Sequence, residues 1–309
     1  MPKSIQIDHQ DTAFYIPKYH KTPGFSEDEL AIYKNLERRY FHEGHVIYSS
    51  YLDDQPNLCQ TFSTIKFDCL LYINEQICLV FVLQFYKSFR LIQNLDETIF
   101  VAFVINNVEI CLRLEEFARV LRVPFQGVCM FSNEWSISSL PNCIDLNPNI
   151  YLPPIEDPKV ICDTIFYERP PSKTRKIKKK PVVLDPYQML SSEVKLDFKK
   201  WETILSENAV SFSGSKDHPN VCMSYMLYCL YIQKPFNLAY YIAKRIESVT
   251  RSDVMVLPYG MLLTRLYRHV HITHPYAISD IHHLVDHVMI PLTEGKAHRI
   301  MVDGKMPHP

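Results

Sequence analysis

Imidazoles are the first groups in this 309-residue chain whose spacing could do chemistry. Seven of its 13 histidines fall between 269 and 298: His269, His271, His274, His282, His283, His287 and His298. His283 and His287 are four apart, which on a helix would aim both rings at one ion, so they are the weak candidates for metal ligands. The intervening HLVDH lacks the glutamate of H-E-x-x-H, and two imidazoles without further ligands and supporting hydrogen bonds hold zinc poorly. Surface histidines on a polar helix face are the simpler account, and we expect no metal and no cofactor. His42-Glu43-Gly44-His45 is one residue short of the spacing that puts two rings on one helix face.

Acids and bases add two further candidates. Tyr51-Leu52-Asp53-Asp54 spells the metal-binding Y-x-D-D of reverse transcriptases, where apolar strands flank the aspartates. Here Gln55-Pro56-Asn57 follows and cannot continue a strand, so an acidic turn is expected. The stretch 169–180, RPPSKTRKIKKK, contains seven basic residues and no acid. Subtracting those seven charges from the net −1 leaves −8 on the rest of the chain. Lys173, Arg175, Lys176, Lys178, Lys179 and Lys180 fit a nuclear-import signal or a phosphate-binding arm for RNA or DNA. They fit equally a solvated linker kept extended by its own like charges.

Glycine and cysteine exclude more than they offer. Only seven glycines occur, and no two are closer than nine residues. No G-x-G-x-x-G, G-x-x-x-x-G-K or G-x-S-x-G can exist, which removes dinucleotide folds, P-loops and nucleophile elbows that need glycine for tight turns and close backbone approach. Nine cysteines contain no C-x-x-C, so zinc ribbons and knuckles are out; buried, reduced thiols are expected. Apolar residues make up 47% and charged residues 22%, an ordinary globular balance. The opening MPKSIQIDHQDTAF has no apolar signal core, and no stretch reaches the roughly 18 apolar residues of a membrane span. The expected location is the nucleus, with the cytoplasm as the alternative.

These residues must be positioned by a chain whose texture changes along its length. Residues 1–25 read as a loose tail. Ser26 and Glu29 form a capping box for a helix carrying Leu30, Tyr33, Leu36 and Tyr40. Helices follow at 63–73 and 76–92, the second apolar nearly all round and therefore central. Thr98–Ile105, Asn106-Asn107 and Val108–Leu112 read as a hairpin. A short helix spans 114–122, and prolines break up 131–165. Helices are expected at 194–206, 219–233, 235–248, 253–270 and 279–290. The fold class is therefore α+β, predominantly helical, with a small β-hairpin in the N-terminal half and a helical C-terminal half. The expected organisation is an N-terminal α+β domain at 26–165, a basic linker at 166–183, a helical domain at 184–294 with its own core around Trp201, and a tail at 295–309.

The segments PFNLAYYIAKRIE and VLPYGMLLTRLYRHV, within 235–270, resemble the C-terminal block of open-reading-frame products of plant retrotransposons of the Athila-like, Gypsy-type class. VFVLQFYKSF, ETIFVAFVINNVEICLRLEEFARVLRVPFQGVC, NEWSISSL and HPNVCMSYMLYCL agree in order, so the resemblance spans roughly 30–292. It implies a plant retroelement protein without catalytic residues to carry over, either gag-like and structural, with possible self-association, or associated with nucleic acid. A metal-dependent enzyme built on the histidine cluster, or an inactive relic, is the alternative. Relatives continue past DHVMIPL into a basic tail, so a truncated copy is expected.

Overall fold

The fold is that of a computed structural model, which describes residues 5–6, 40–145, 156–168, 174–177, 180–183, 185–211, 218–252, 256–279 and 282–284. Apart from Ile5–Gln6, the expected tails and most of the helix after Ser26 lie outside the described residues. Ile5–Gln6 (β1) pairs antiparallel with Tyr40–Phe41 (β2). Ser49–Asp53 (α1) holds most of the Tyr51–Asp54 motif, so this acidic run is a helical turn flanked by helix, with no strand on either side. Pro56–Thr64 (α2) starts at its proline, whose fixed φ suits the first helical position. Left-handed Lys66 (φ 62°) ends it, so the helix expected at 63–73 lies earlier and gives way to a 3-10 turn at Asp68–Leu70.

Leu79–Ser88 (α3) is the central helix, with every side chain from Val80 to Tyr86 buried. It is shorter than the expected 76–92 because Ser88 Oγ donates to Gln84 O within the helix and accepts from Val104 N in the neighbouring strand. The chain then turns extended at Phe89 and enters Arg90–Gln93 (β3). Ile99–Ile105 (β4) and Val108–Arg113 (β5) form the expected hairpin, with β4 central in a three-stranded antiparallel sheet. Its two-residue turn, Asn106-Asn107, takes positive φ at both positions (47° and 65°), which asparagine tolerates. Leu114–Leu121 (α4) follows at once and ends on left-handed Arg122.

Pro158–Ile165 (α5) interrupts the region read as loop; Asp157 caps it by accepting from Lys159 N, and Pro158 opens it. Thr174–Ile177 (β6) and Lys180–Val183 (β7) pair antiparallel, so the described part of the expected linker is paired strand. Leu196–Ile204 (α6) runs on into a π-helical turn, Leu205–Val210. Val221–Ile232 (α7) and Leu238–Thr250 (α8) are capped by Asn220 and Asn237, each accepting a backbone N–H three residues on. Gly260–Thr273 (α9) starts later than expected because Tyr259 sits at φ 66°. The fold is α+β and predominantly helical. Among the described residues no helix is long and apolar enough to cross a membrane.

The expected division into two separately cored domains is not what the packing shows. One hydrophobic cluster runs from Val46 to Ala277 and draws on both sides of 166–183. Phe81 of α3 meets Phe103 of β4 and Tyr267 of α9 edge-on, at 6.3 and 5.6 Å between ring centres. Tyr86 Oη donates to Pro258 O at 2.5 Å. Gly127 lies so close to the Pro235 carbonyl that no Cβ would fit, and beside it Val128 N donates to Pro235 O at 3.3 Å and Asn237 N donates to Val128 O at 3.0 Å. The physical reason is that α7, buried on every side from Val221 to Leu230, packs on α2 and α5 from before the basic segment as well as on α6 after it. Trp201 is only half-buried, edge-on to Phe198, and Leu196 of its expected stripe is exposed, so Trp201 is not the centre of a core.

Five of the nine cysteines are buried and Cys111 is exposed. Burial pushes the thiols of Cys69, Cys78 and Cys229 up to about 12. Alkylation of the native protein at pH 8 is therefore expected to label Cys111 first and to leave those three unlabelled until unfolding, as mass spectrometry would read. A fragment starting at Leu184 is expected to be unfolded or aggregated by circular dichroism, since its core faces would lose α3, α4 and the sheet. Cooperative helical melting of that fragment would restore the two-domain division.

Candidate functional site

The candidate pair His283 and His287 lies only partly within the described residues. His283 is exposed in a stretch, 282–284, that is not helical, and His287 lies outside the described residues. Side-chain bonds hold this segment in another path: Ser279 N and Oγ reach His282 Nδ1, Tyr267 Oη donates to His282 O, and Gln84 Nε2 lies 2.9 Å from His282 Nε2. Local bonds of this kind compete with a helix. His282 is a buried core histidine, not a surface one.

The histidines that do meet a carboxylate are the pair judged too closely spaced. His42 and His45 are not on a helix. Gly44 at φ 106° turns the loop between them, and the rings stack 10° from parallel with centres 5.6 Å apart. A Cβ at Gly44 would come within 2.9 Å of Met261 Cε. Backbone bonds fix the loop to the start of α9: His42 N donates to Leu257 O at 2.8 Å, and Met261 N donates to Glu43 O at 3.0 Å. Both Nε2 atoms face Glu207 Oε2, at 3.2 Å from His42 and 3.1 Å from His45. Glu207 and Asn208 are consecutive in the π-helical turn. Asn208 Oδ1 accepts from His45 N at 2.6 Å, and its Nδ2 donates to His45 O and Leu70 O at 2.9 and 2.8 Å. All four side chains are buried. The sequence signal that was available is Gly44 itself, one of only seven glycines, set between two histidines.

His42, His45 and Glu207 could hold a metal ion, since their donor atoms converge. Donors at 2.0 Å from a tetrahedral ion stand about 3.3 Å apart, close to the spacings seen. The protons argue for a different state. Gly44 N donates to His42 Nδ1 at 3.2 Å, so that nitrogen is an acceptor and the neutral ring carries its proton on Nε2. Nε2–H then donates to Glu207. An ion on Nε2 would force that proton onto Nδ1, against the Gly44 N–H. The cluster therefore works as a hydrogen-bonded node in which ring N–H groups satisfy a buried carboxylate.

A second convergence lies on the surface between α4 and α9. Arg119, Arg122, Arg265, Arg268 and His269 line a cleft of about 270 Å³ with Glu75, Val120 and Ile272. Arg265 Nε donates to Glu75 Oε1 at 3.1 Å and its NH1 caps α4 at Leu121 O, 2.7 Å away. Arg268 pairs with the other oxygen of Glu75. Of the basic candidates in 169–180, Arg175, Lys176 and Lys180 lie in the strands of the β6–β7 hairpin; Lys173, Lys178 and Lys179 lie outside the described residues.

Removing one partner of a buried pair leaves an uncompensated polar group. Glu207→Ala is expected to cost about 3–5 kcal/mol in urea unfolding. Excess zinc should leave the melting temperature of the native protein unchanged. A metal site would instead gain about 2.7 kcal/mol at a free zinc concentration one hundred times Kd.

No protein-family model, no curated protein and no solved structure matches this chain, so its chemistry is read from these residues and their geometry alone.

Proposed function

We propose that this is a non-enzymatic, retroelement-derived nuclear protein that associates with RNA or DNA through its basic segment. One observation carries the reading: Thr174–Ile177 pairs with Lys180–Val183, Thr174 opposite Val183 and Ile177 opposite Lys180, so the basic positions Arg175, Lys176 and Lys180 belong to a two-stranded ribbon. A two-stranded ribbon fits a duplex groove, and lysines and arginines on it neutralise phosphates and release counterions. The resemblance of 235–270 to retrotransposon products supports the same assignment. The closed His42–His45–Glu207 node supports a structural role, because a substrate has no open approach to side chains this buried.

Binding of the full chain to a labelled duplex, followed by anisotropy across salt concentrations, tests this. Six phosphate contacts give a log–log slope of about −5, and Lys178→Ala/Lys179→Ala/Lys180→Ala should make it shallower by about 2.7. The same substitutions should stop residues 169–180 from carrying a cytoplasmic reporter into the nucleus. Absence of binding at low salt, with the chain self-associating, would favour the gag-like assembly reading instead.

A further inference from the structure

The cleft between α4 and α9 carries more positive charge than its own carboxylate balances. Four guanidiniums line it, and among the described residues Glu75 is its only lining carboxylate. Glu75 is already bridged by Arg265 and Arg268. Glu116 pairs at the rim with Arg119, at 3.3 Å. Arg265 is held in place, its side chain 9% exposed, whereas Arg119 and Arg268 are 72% and 50% exposed. Guanidinium groups with fixed planes match the oxygens of a phosphate in pairs. His269, in the same wall, is held below the ordinary histidine range by burial first and by Arg119, with Glu116 opposing.

The chain that leaves the cleft carries exposed rings. Ile272 lines the cleft and is 80% exposed, and Tyr276 follows four residues on. His274 lies within electrostatic reach of His269, and its ring meets that of Tyr276 at 6.0 Å. Tyr276 is 72% exposed, on the 3-10 turn that follows α9. Bases stack on exposed aromatic rings while cations hold the backbone, and only an unpaired strand offers its base faces for this.

From this juxtaposition we propose that the Arg119–Arg122–Arg265–Arg268 cleft binds a backbone phosphate of single-stranded RNA or DNA, with an adjacent base stacked on Tyr276. The inference rests on the nucleic-acid reading above and adds a second contact, distinct from the basic ribbon. Arginine and tyrosine divide the work: charge supplies sequence-blind affinity, and stacking selects unpaired strands over duplex.

The test uses the full chain with labelled single-stranded oligonucleotides of RNA and of DNA, and a duplex as comparison. Arg119→Ala/Arg268→Ala should weaken single-strand binding and make its salt slope shallower by about 1.4. Tyr276→Ala, at an exposed position outside the core, should weaken single-strand binding by about 5- to 150-fold and leave the duplex unaffected. If the ribbon variant weakens binding while both cleft variants bind like the native protein, the cleft proposal is overturned and the nucleic-acid reading stands. If Tyr276→Ala weakens duplex and single strand alike, the stacking assignment is overturned. If the native chain binds neither at low salt, both readings fall together.

Discussion

Everything in the fold turns on one clasp. Glu207 and Asn208, neighbours in a π-helical turn, reach across 165 and 163 residues to the His42–His45 loop. Asn208 satisfies both backbone groups of His45 and the carbonyl of Leu70, three buried bonds worth about 0.5–1.5 kcal/mol each. Glu207 supplies a buried charge that two imidazoles must meet. The same turn is tied from the other side, where Tyr259 Oη donates to Ala209 O at 2.6 Å. Because Tyr259 also sets the start of α9, the clasp positions the helix that lines the arginine cleft.

π-helical turns are rare, and proteins keep them where a side chain must be aimed somewhere an α-helix would not send it. Here the gain is two consecutive side chains entering one buried loop. The geometry is self-consistent only with glycine at 44, where the backbone takes a left-handed φ and leaves no room for a Cβ beside Met261. Loop, turn and helix start thus depend on one another, and none is a local feature of its own segment.

That dependence explains what could be read from the residues. The β4–β5 hairpin was legible because its information is local: a β-branched run, two asparagines able to take positive φ, and a second run. So was α4, which has a strong apolar stripe and stops before Pro124. Helix starts that depend on tertiary contact were misplaced. Tyr259 in a left-handed conformation delays α9, and Ser88, bonded to Val104, converts the end of an apparently continuous apolar helix into β3. The single core escaped notice because a basic, proline-flanked stretch looks like a boundary, while the packing that spans it is invisible along the chain. The histidine node was missed for a related reason. Spacing rules assume that one helix presents both ligands, and here a glycine loop presents two rings to a residue in another half of the molecule. The arginine cleft left no sequence pattern at all, since Arg119 and Arg268 come together only through the packing of α4 on α9.

The distance along the chain between His45 and Asn208 also governs how the protein comes into being. At about 5–20 residues per second, synthesis needs roughly 8 to 33 seconds to travel from one to the other. Throughout that interval the nascent N-terminal half carries two histidines without their carboxylate, a central helix without α9, and an apolar sheet face without its cover. Such long-range closure makes folding slow and leaves sticky surface exposed on the way. The emerging chain is thus a natural client for chaperones, and that dependence outlasts the synthesis of residues 207–208, because α9 at Gly260–Thr273 has still to follow.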